Sequence, residues 1–169
     1  MTFPHPHDWR LVVAALNDAG EPDFSIGAEP ATLDMPGIVA GGWYWRAEGG
    51  HSRENPGAVA KVFDLAGPNG SAFGVTRFAA NSAGKLDVAE VGQSGEAGQG
   101  GDAAMHSSDT IDYEVVLSGK IDLELPGGKV HTLVPGDLLV MAGVAHAWKN
   151  PYDEDCLFVQ VTIGYNDKA

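Results

Sequence analysis

Two carboxylates separated by one residue, Asp112 and Glu114, precede and enter the apolar run Tyr113–Leu117. Side chains alternate across a strand, so Asp112, Glu114 and Val116 share one face while Tyr113, Val115 and Leu117 share the other. Turned toward an interior, the two carboxylates would be costly to bury uncompensated, and a metal ion or nearby imidazoles would relieve that cost. A carboxylate pair so placed suits proton transfer. His146 and Trp148 are likewise two residues apart, which sets an imidazole beside an aromatic wall on one strand face. Competing structural readings stand next to these. Asp112 would satisfy backbone N–H groups at the strand start. Glu114 would face solvent if the register were reversed. His146 would be a hydrogen-bonded structural histidine and Trp148 a core residue.

The elements that must position these residues are short apolar segments punctuated by glycine, proline, asparagine and aspartate, a pattern of strands joined by turns. Strands are predicted at 10–16, 38–47, 72–79, 113–117, 120–125, 130–134, 137–141, 145–149 and 157–163. Within 120–125, Ile121, Leu123 and Leu125 alternate with Lys120, Asp122 and Glu124, and Pro126-Gly127-Gly128 reads as a hairpin turn. One short helix is predicted over 56–65, with Asn55 as its cap, Pro56 in its first turn, and Gly67-Pro68 as its stop. The run 92–104, built of Gly, Ser, Gln, Glu and Ala, reads as a flexible loop without core-forming residues. His5-Pro6-His7 has ligand types at close spacing but reads as a mobile tail. Trp43-Tyr44-Trp45 reads as core or subunit contact rather than a base-stacking platform.

Composition narrows the function class. With 10 Lys and Arg against 23 Asp and Glu, the net charge of −13 argues against a nucleic-acid partner. No stretch approaches the roughly 18 consecutive apolar residues of a membrane span, and the first ten residues lack the apolar run of an export signal. Cys156 is the single cysteine, so no internal disulfide forms and the residue reads as a small buried hydrophobe. A cytoplasmic protein of one domain is expected.

Two stretches carry a family resemblance: Met105–Gly119, reading MHSSDTIDYEVVLSG, and Val134–Asn150, reading VPGDLLVMAGVAHAWKN. They resemble the two sequence motifs of cupins. His106 takes the first histidine position, Ser108 the second, Asp112 the glutamate position and Gly119 the closing glycine. In the second motif Gly136-Asp137 opens the turn and Gly143, His146 and Asn150 match, whereas Met141 stands about where proline is usual and one residue is missing. The resemblance implies an all-β fold, a double-stranded β-helix or jelly-roll barrel over 72–169, with an N-terminal strand extension over 1–71 that packs on the barrel or on a partner subunit.

It also implies a site. His106, His146 and one or both of Asp112 and Glu114 would form a two-histidine, carboxylate set suited to Fe, Mn, Zn or Ni, with positions left open for substrate. Serine is a poor ligand for these ions, so Ser108 in a histidine position makes a metal-free pocket the competing expectation. Ser108, Trp148 and Gln160 are the expected substrate contacts. The expected activity is that of a small-molecule lyase or isomerase working by dehydration, decarboxylation or tautomerisation, with Asp112 or Glu114 moving the proton. The alternatives are an Fe(II) dioxygenase and a non-catalytic small-ligand-binding protein. Exposed sheet edges and the aromatic N-terminal strand favour a homodimer.

Overall fold

The computed structural model describes residues 2–27, 29–91, 96–97 and 101–166. The N-terminal part forms β1 (Val12–Leu16), β2 (Pro22–Ile26), β3 (Ala31–Met35), β4 (Val39–Ala47), β5 (Ala58–Val59) and β6 (Ser71–Phe78). A single helical turn, α1 (Val88–Val91), follows, then the two-residue strands β7 (Glu96–Ala97) and β8 (His106–Ser107). The remainder is β9 (Thr110–Ser118), β10 (Ile121–Leu125), β11 (Lys129–Leu133), β12 (Leu138–Ala142), β13 (Ala147–Lys149) and β14 (Cys156–Gly164). The protein is thus almost entirely antiparallel β structure. Among the described residues no helix is long and apolar enough to cross a membrane.

Seven strands make the main sheet, ordered β12-β9-β14-β6-β4-β3 with β5 paired to β4, and three make a second, ordered β11-β10-β13. The core lies where they meet: Phe78, Val116 and Phe158 come from the large sheet, and Ile121, Leu123, Leu133, Ala147 and Trp148 from the small one. The chain passes from the first sheet to the second through Gly119, whose φ of +71° and closeness to the Asp155 carbonyl leave no room for a side chain. β3 and β4 lie in the same sheet as the motif-bearing strands, so the first half of the chain supplies part of the wall facing the core. The hairpin β1–β2 is a separate two-stranded sheet.

Every segment expected to be a strand coincides with one, with ends displaced by up to three residues. The helix expected over 56–65 does not form. Gly57 has φ +97°, Ala58 and Val59 pair with Arg46 and Trp45, and the Arg46 guanidinium donates to the carbonyls of Asp64 and Leu65 at 2.7 Å each. A helix would need the backbone of 57–59 in helical φ/ψ with its N–H and C=O groups turned along the helix axis; the edge of β4 takes that backbone instead. Of the loop expected over 92–104, residues 92–95 and 98–100 lie outside the described residues, but its end does build core, since Ala104 is 1% exposed. The N-terminal tail is also anchored: Tyr44 Oη donates to the Pro6 carbonyl at 3.0 Å and His7 Nε2 bonds the Leu33 carbonyl at 3.1 Å. Trp43 and Tyr44 are buried, as core residues. The buried Cys156 thiol is pushed up to about 12, mainly by burial.

Candidate functional site

The site is built on β9. Its alternation turns Asp112, Glu114 and Val116 inward and leaves Tyr113 exposed, so both carboxyl side chains are buried. The solvent-facing register for Glu114 is thereby overturned. Hydrogen bonding along the sheet fixes their neighbours: Asp112 pairs with Met141 on β12 and Thr162 on β14, and Glu114 pairs with Leu139 and Gln160. Gln160 therefore sits beside Glu114 on the same face of the sheet.

The histidines arrive from the opposite direction. His106 and His146 exchange both backbone hydrogen bonds, at 2.9 and 2.8 Å, in an antiparallel bridge outside the main sheets. Their rings lie 4.2 Å apart, centre to centre. His106 Nδ1 contacts the Ala104 carbonyl at 3.0 Å and His146 Nδ1 the Val144 carbonyl at 2.8 Å. A carbonyl only accepts, so each Nδ1 carries the proton and each Nε2 presents a lone pair. Burial lowers the His106 pKa, against the pull of the Ala104 carbonyl. Burial, helped by His106, lowers that of His146 to about 4. Both imidazoles are neutral at pH 7.

All seven side chains expected from the sequence, His106, Ser108, Asp112, Glu114, His146, Trp148 and Gln160, line one cavity with about 680 Å³ of empty space, its open mouth included. Trp148 stacks on Phe158 with ring centres 5.2 Å apart and meets His146 edge-on at 6.0 Å. Ser108 Oγ and Thr110 Oγ1 are hydrogen-bonded at 2.8 Å. Burial raises the Asp112 carboxyl to about 6, tempered by the Thr110 hydroxyl. Burial, then the charge of Asp112, pushes Glu114 well above the usual carboxylate range. Asp112 Oδ1 has no hydrogen-bond partner although Asp112 is only 6% exposed.

The four expected metal ligands share this cavity, but they do not close into a metal centre: among the described residues no group of three or more His, Cys, Asp or Glu is placed to hold an ion. The substitution at Ser108 supplies a physical reason. Where the cupin motif has a second imidazole, this chain has a hydroxyl turned to Thr110.

The sequence did not disclose the rest of the wall. Leu33, Val39, Phe63 and Leu65 come from the N-terminal half, and Leu86, Val88 and Val91 from the segment around α1. Arg46 fixes the Asp64–Leu65 backbone, and Thr162 Oγ1 accepts from the Ala66 N–H at 3.3 Å, which holds this wall against β14. Thr110, 1% exposed, stands behind the wall as the partner of the Ser108 hydroxyl. Its signal was available, because it shares the inward face of β9 with Asp112.

Comparison with known proteins agrees with this architecture. Residues 95–162 match the family model described as Cupin_2, cupin domain. Phomopsin biosynthesis cluster protein C′ of Diaporthe leptostromiformis is 47% identical over 51 residues, 30% of this chain and 27% of that protein. Oryzines biosynthesis cluster protein J of Aspergillus oryzae is 39% identical over 46 residues, 27% of this chain and 26% of that protein. The similarity thus spans about a quarter of the length of these curated relatives. The cupin domain of Schizosaccharomyces pombe Cnp3 superposes with a TM-score of 0.53 at 10% identity, covering 92% of this chain and 87% of that one. At that identity the likeness concerns the fold alone.

Proposed function

We propose that this chain, whose residues 95–162 match the cupin domain model, is a small-molecule enzyme of lyase or isomerase type that moves a proton on an oxygenated organic substrate. The observation that carries this reading is the Asp112–Glu114 pair, buried on one strand face in a cavity that no Lys or Arg among the described residues lines. Environment separates the two carboxyls: burial raises Asp112 to about 6, while burial and the charge of Asp112 push Glu114 well above the usual carboxylate range, which suits Asp112 to the part of base and Glu114 to that of acid.

On an enolisable carbonyl compound, Asp112 takes the proton from the carbon next to the carbonyl. The C–H electron pair becomes the C=C bond of an enol, and the carbonyl oxygen takes the proton of Glu114. In both outcomes the enol O–H returns its proton to Glu114 as the carbonyl re-forms: with a conjugated C=C the proton on Asp112 is delivered to the far end of the dienol, completing a tautomerisation, and with a β-hydroxyl it protonates the departing hydroxide, completing a dehydration. The neutral imidazoles can accept hydrogen bonds from substrate at Nε2, and Trp148 and Phe158 exclude water from the reacting carbon. The names of the two fungal relatives, which place them in biosynthesis clusters, fit chemistry of this kind on a small organic skeleton.

The test is hydrogen–deuterium exchange. Full-length protein is incubated in D2O with a panel of 1,3-diketones and β-hydroxyketones, and deuterium uptake next to the carbonyl is followed by NMR. Exchange above buffer is expected, rising as Asp112 ionises around pH 6. Asp112→Asn should lose about 100- to 10,000-fold, the usual worth of a positioned base. No exchange across the panel, or full exchange by Asp112→Asn, would overturn the reading.

A further inference from the structure

The cavity is rich in acceptors, and its donors are neutral groups such as the Gln160 amide and the Thr76 hydroxyl. Asp112 Oδ1 is buried and unpartnered, and His106 and His146 each turn an Nε2 lone pair away from the carbonyl that holds Nδ1. The Ser108 hydroxyl is engaged with Thr110, and among the described residues no Lys or Arg lines the space. A buried carboxylate oxygen without a partner is costly, and the net charge of −13 deepens the negative potential around it. A ligand that brings positively charged N–H groups would meet these acceptors; one that brings a carboxylate would meet repulsion. Leu33, Val39, Phe63, Trp148 and Phe158 offer its remainder an apolar wall.

We propose that the ligand is a primary amine, bound as its ammonium ion with N–H donated to Asp112 Oδ1 and its apolar body against Trp148 and Phe158. This rests on reading the cavity as the substrate site and names the substrate class: an amine whose reacting carbon lies within a few bonds of the nitrogen, where the other Asp112 oxygen and Glu114 handle the proton.

Calorimetric titration of EDTA-treated full-length protein with benzylamine, benzyl alcohol, benzoate and benzyltrimethylammonium tests it. Benzylamine should bind at least tenfold tighter than the alcohol. Benzyltrimethylammonium, which has no N–H to donate, should bind no better than the alcohol, and benzoate should not bind. Asp112→Asn should bring benzylamine to the level of the alcohol, with Asp112→Ala as a second variant should the amide fold poorly. Benzoate binding as well as benzylamine, unchanged benzylamine affinity in both variants, or uptake of Mn2+ with no amine binding would overturn the proposal. The exchange assay separates the two claims: exchange without amine preference sinks only the substrate class, and amine binding without exchange sinks only the proton transfer.

A different observation carries a second inference. The outer face of the large sheet is apolar across four strands: Val140, Tyr113, Val161 and Phe73 lie side by side in register, with Leu138 and Val159 in the next row. Leu138 is 81% exposed. The hairpin β1–β2 presents Val12, Leu16, Phe24 and Ile26 on one face, all of them exposed, and the segment leading into it borders Phe73 and Val159. An isolated two-stranded hairpin is marginal in water. At strand spacings of about 4.8 Å and rises of about 3.3 Å, the two surfaces together offer roughly 400 Å² of flat apolar footprint on each copy, toward the small end of specific protein–protein interfaces. Arg10 borders the sheet surface beside Phe73 and Val159, and Asp23 of the hairpin alternates onto the face opposite Phe24.

We infer that the hairpin of one copy lies on the outer sheet face of a second, giving a two-fold dimer. Analytical ultracentrifugation of the full chain at micromolar concentration should give twice the 17.6 kDa chain mass. Val140→Lys on the sheet and, separately, Phe24→Asp on the hairpin should each give monomers with unchanged circular dichroism. A monomeric wild type, or dimers that survive both changes, would overturn it.

Discussion

Between the hairpin β1–β2 and strand β9, the usual sorting of side chains is inverted in opposite senses. Leu16 and Phe24 are each 69% exposed, whereas Asp112 and Glu114 are 6% and 8% exposed. Both segments alternate with the same period, so local pattern does not account for the difference. What differs is the second layer. β9 has the small sheet and Trp148 over its inner face, whereas among the described residues the hairpin is a separate two-stranded sheet that leaves Phe24 exposed. Each inversion costs stability in the isolated chain, the hairpin through apolar surface left in water and β9 through carboxyl groups taken out of it. Binding can offset both costs, which is why the two regions carry the two inferences drawn above.

Aromatic truncation is the harshest way to probe that contrast. Trp148, 7% exposed and packed against His146, Phe78 and Phe158, should lose about 3–5 kcal/mol on Trp148→Ala, read as a lowered midpoint in urea at constant slope. An unchanged midpoint would mean that the cavity wall is not a packed core.

The carboxyls and imidazoles should give a smaller effect with a defined sign. Asp112 titrates at about 6 when folded against 3.8 unfolded, so stability present below the unfolded value is lost as pH rises through about 6. That is about 3 kcal/mol for a shift of this size. His146 runs the other way. Its folded value of about 4 lies below 6.5, so stability present at neutral pH is lost as pH falls toward 4. The two largely cancel between pH 4 and 6. Asp112→Asn should therefore be more stable than wild type at pH 7 by up to about 3 kcal/mol, with the gain gone at pH 4. His146→Gln should instead leave a chain whose stability climbs as pH falls. Parallel curves for wild type and both variants from pH 4 to 7 would show that these groups are not buried.

The sequence made one side of the cavity readable and hid the other. Glycine-punctuated alternation marked β9 to β14, and the Asp112–Glu114 spacing put both carboxyls on one face before their burial was known. His106 and His146 came from motif spacing; nothing local says that their backbones bridge or that each Nδ1 finds the carbonyl two residues before it. Leu33 and Phe63 lie in segments with no strong period, and they reach the cavity only through long-range pairing with β4 and the grip of Arg46. The same pairing defeated the helix signals at Asn55 and Pro56, which are local and were outcompeted by a sheet edge. Ligand types for a metal were legible, but their mutual distances were not, because they depend on how two sheets meet.

The smallest expected effect completes the contrast. Phe24→Ala removes an aromatic ring, as Trp148→Ala does, yet in the isolated chain that ring lies 69% in water. Surface changes of this kind stay within about 0.5 kcal/mol. Measured in urea at protein concentrations low enough to keep the chain monomeric, Phe24→Ala should therefore leave the unfolding midpoint where it is. At tens of micromolar the wild type should gain stability with concentration and Phe24→Ala should not, since only the wild type has a hairpin ring to bury in a second copy. A midpoint that drops by more than about 1 kcal/mol equivalent at the lowest concentration would place Phe24 under cover within its own chain. The difference between the two regions would then be one of degree.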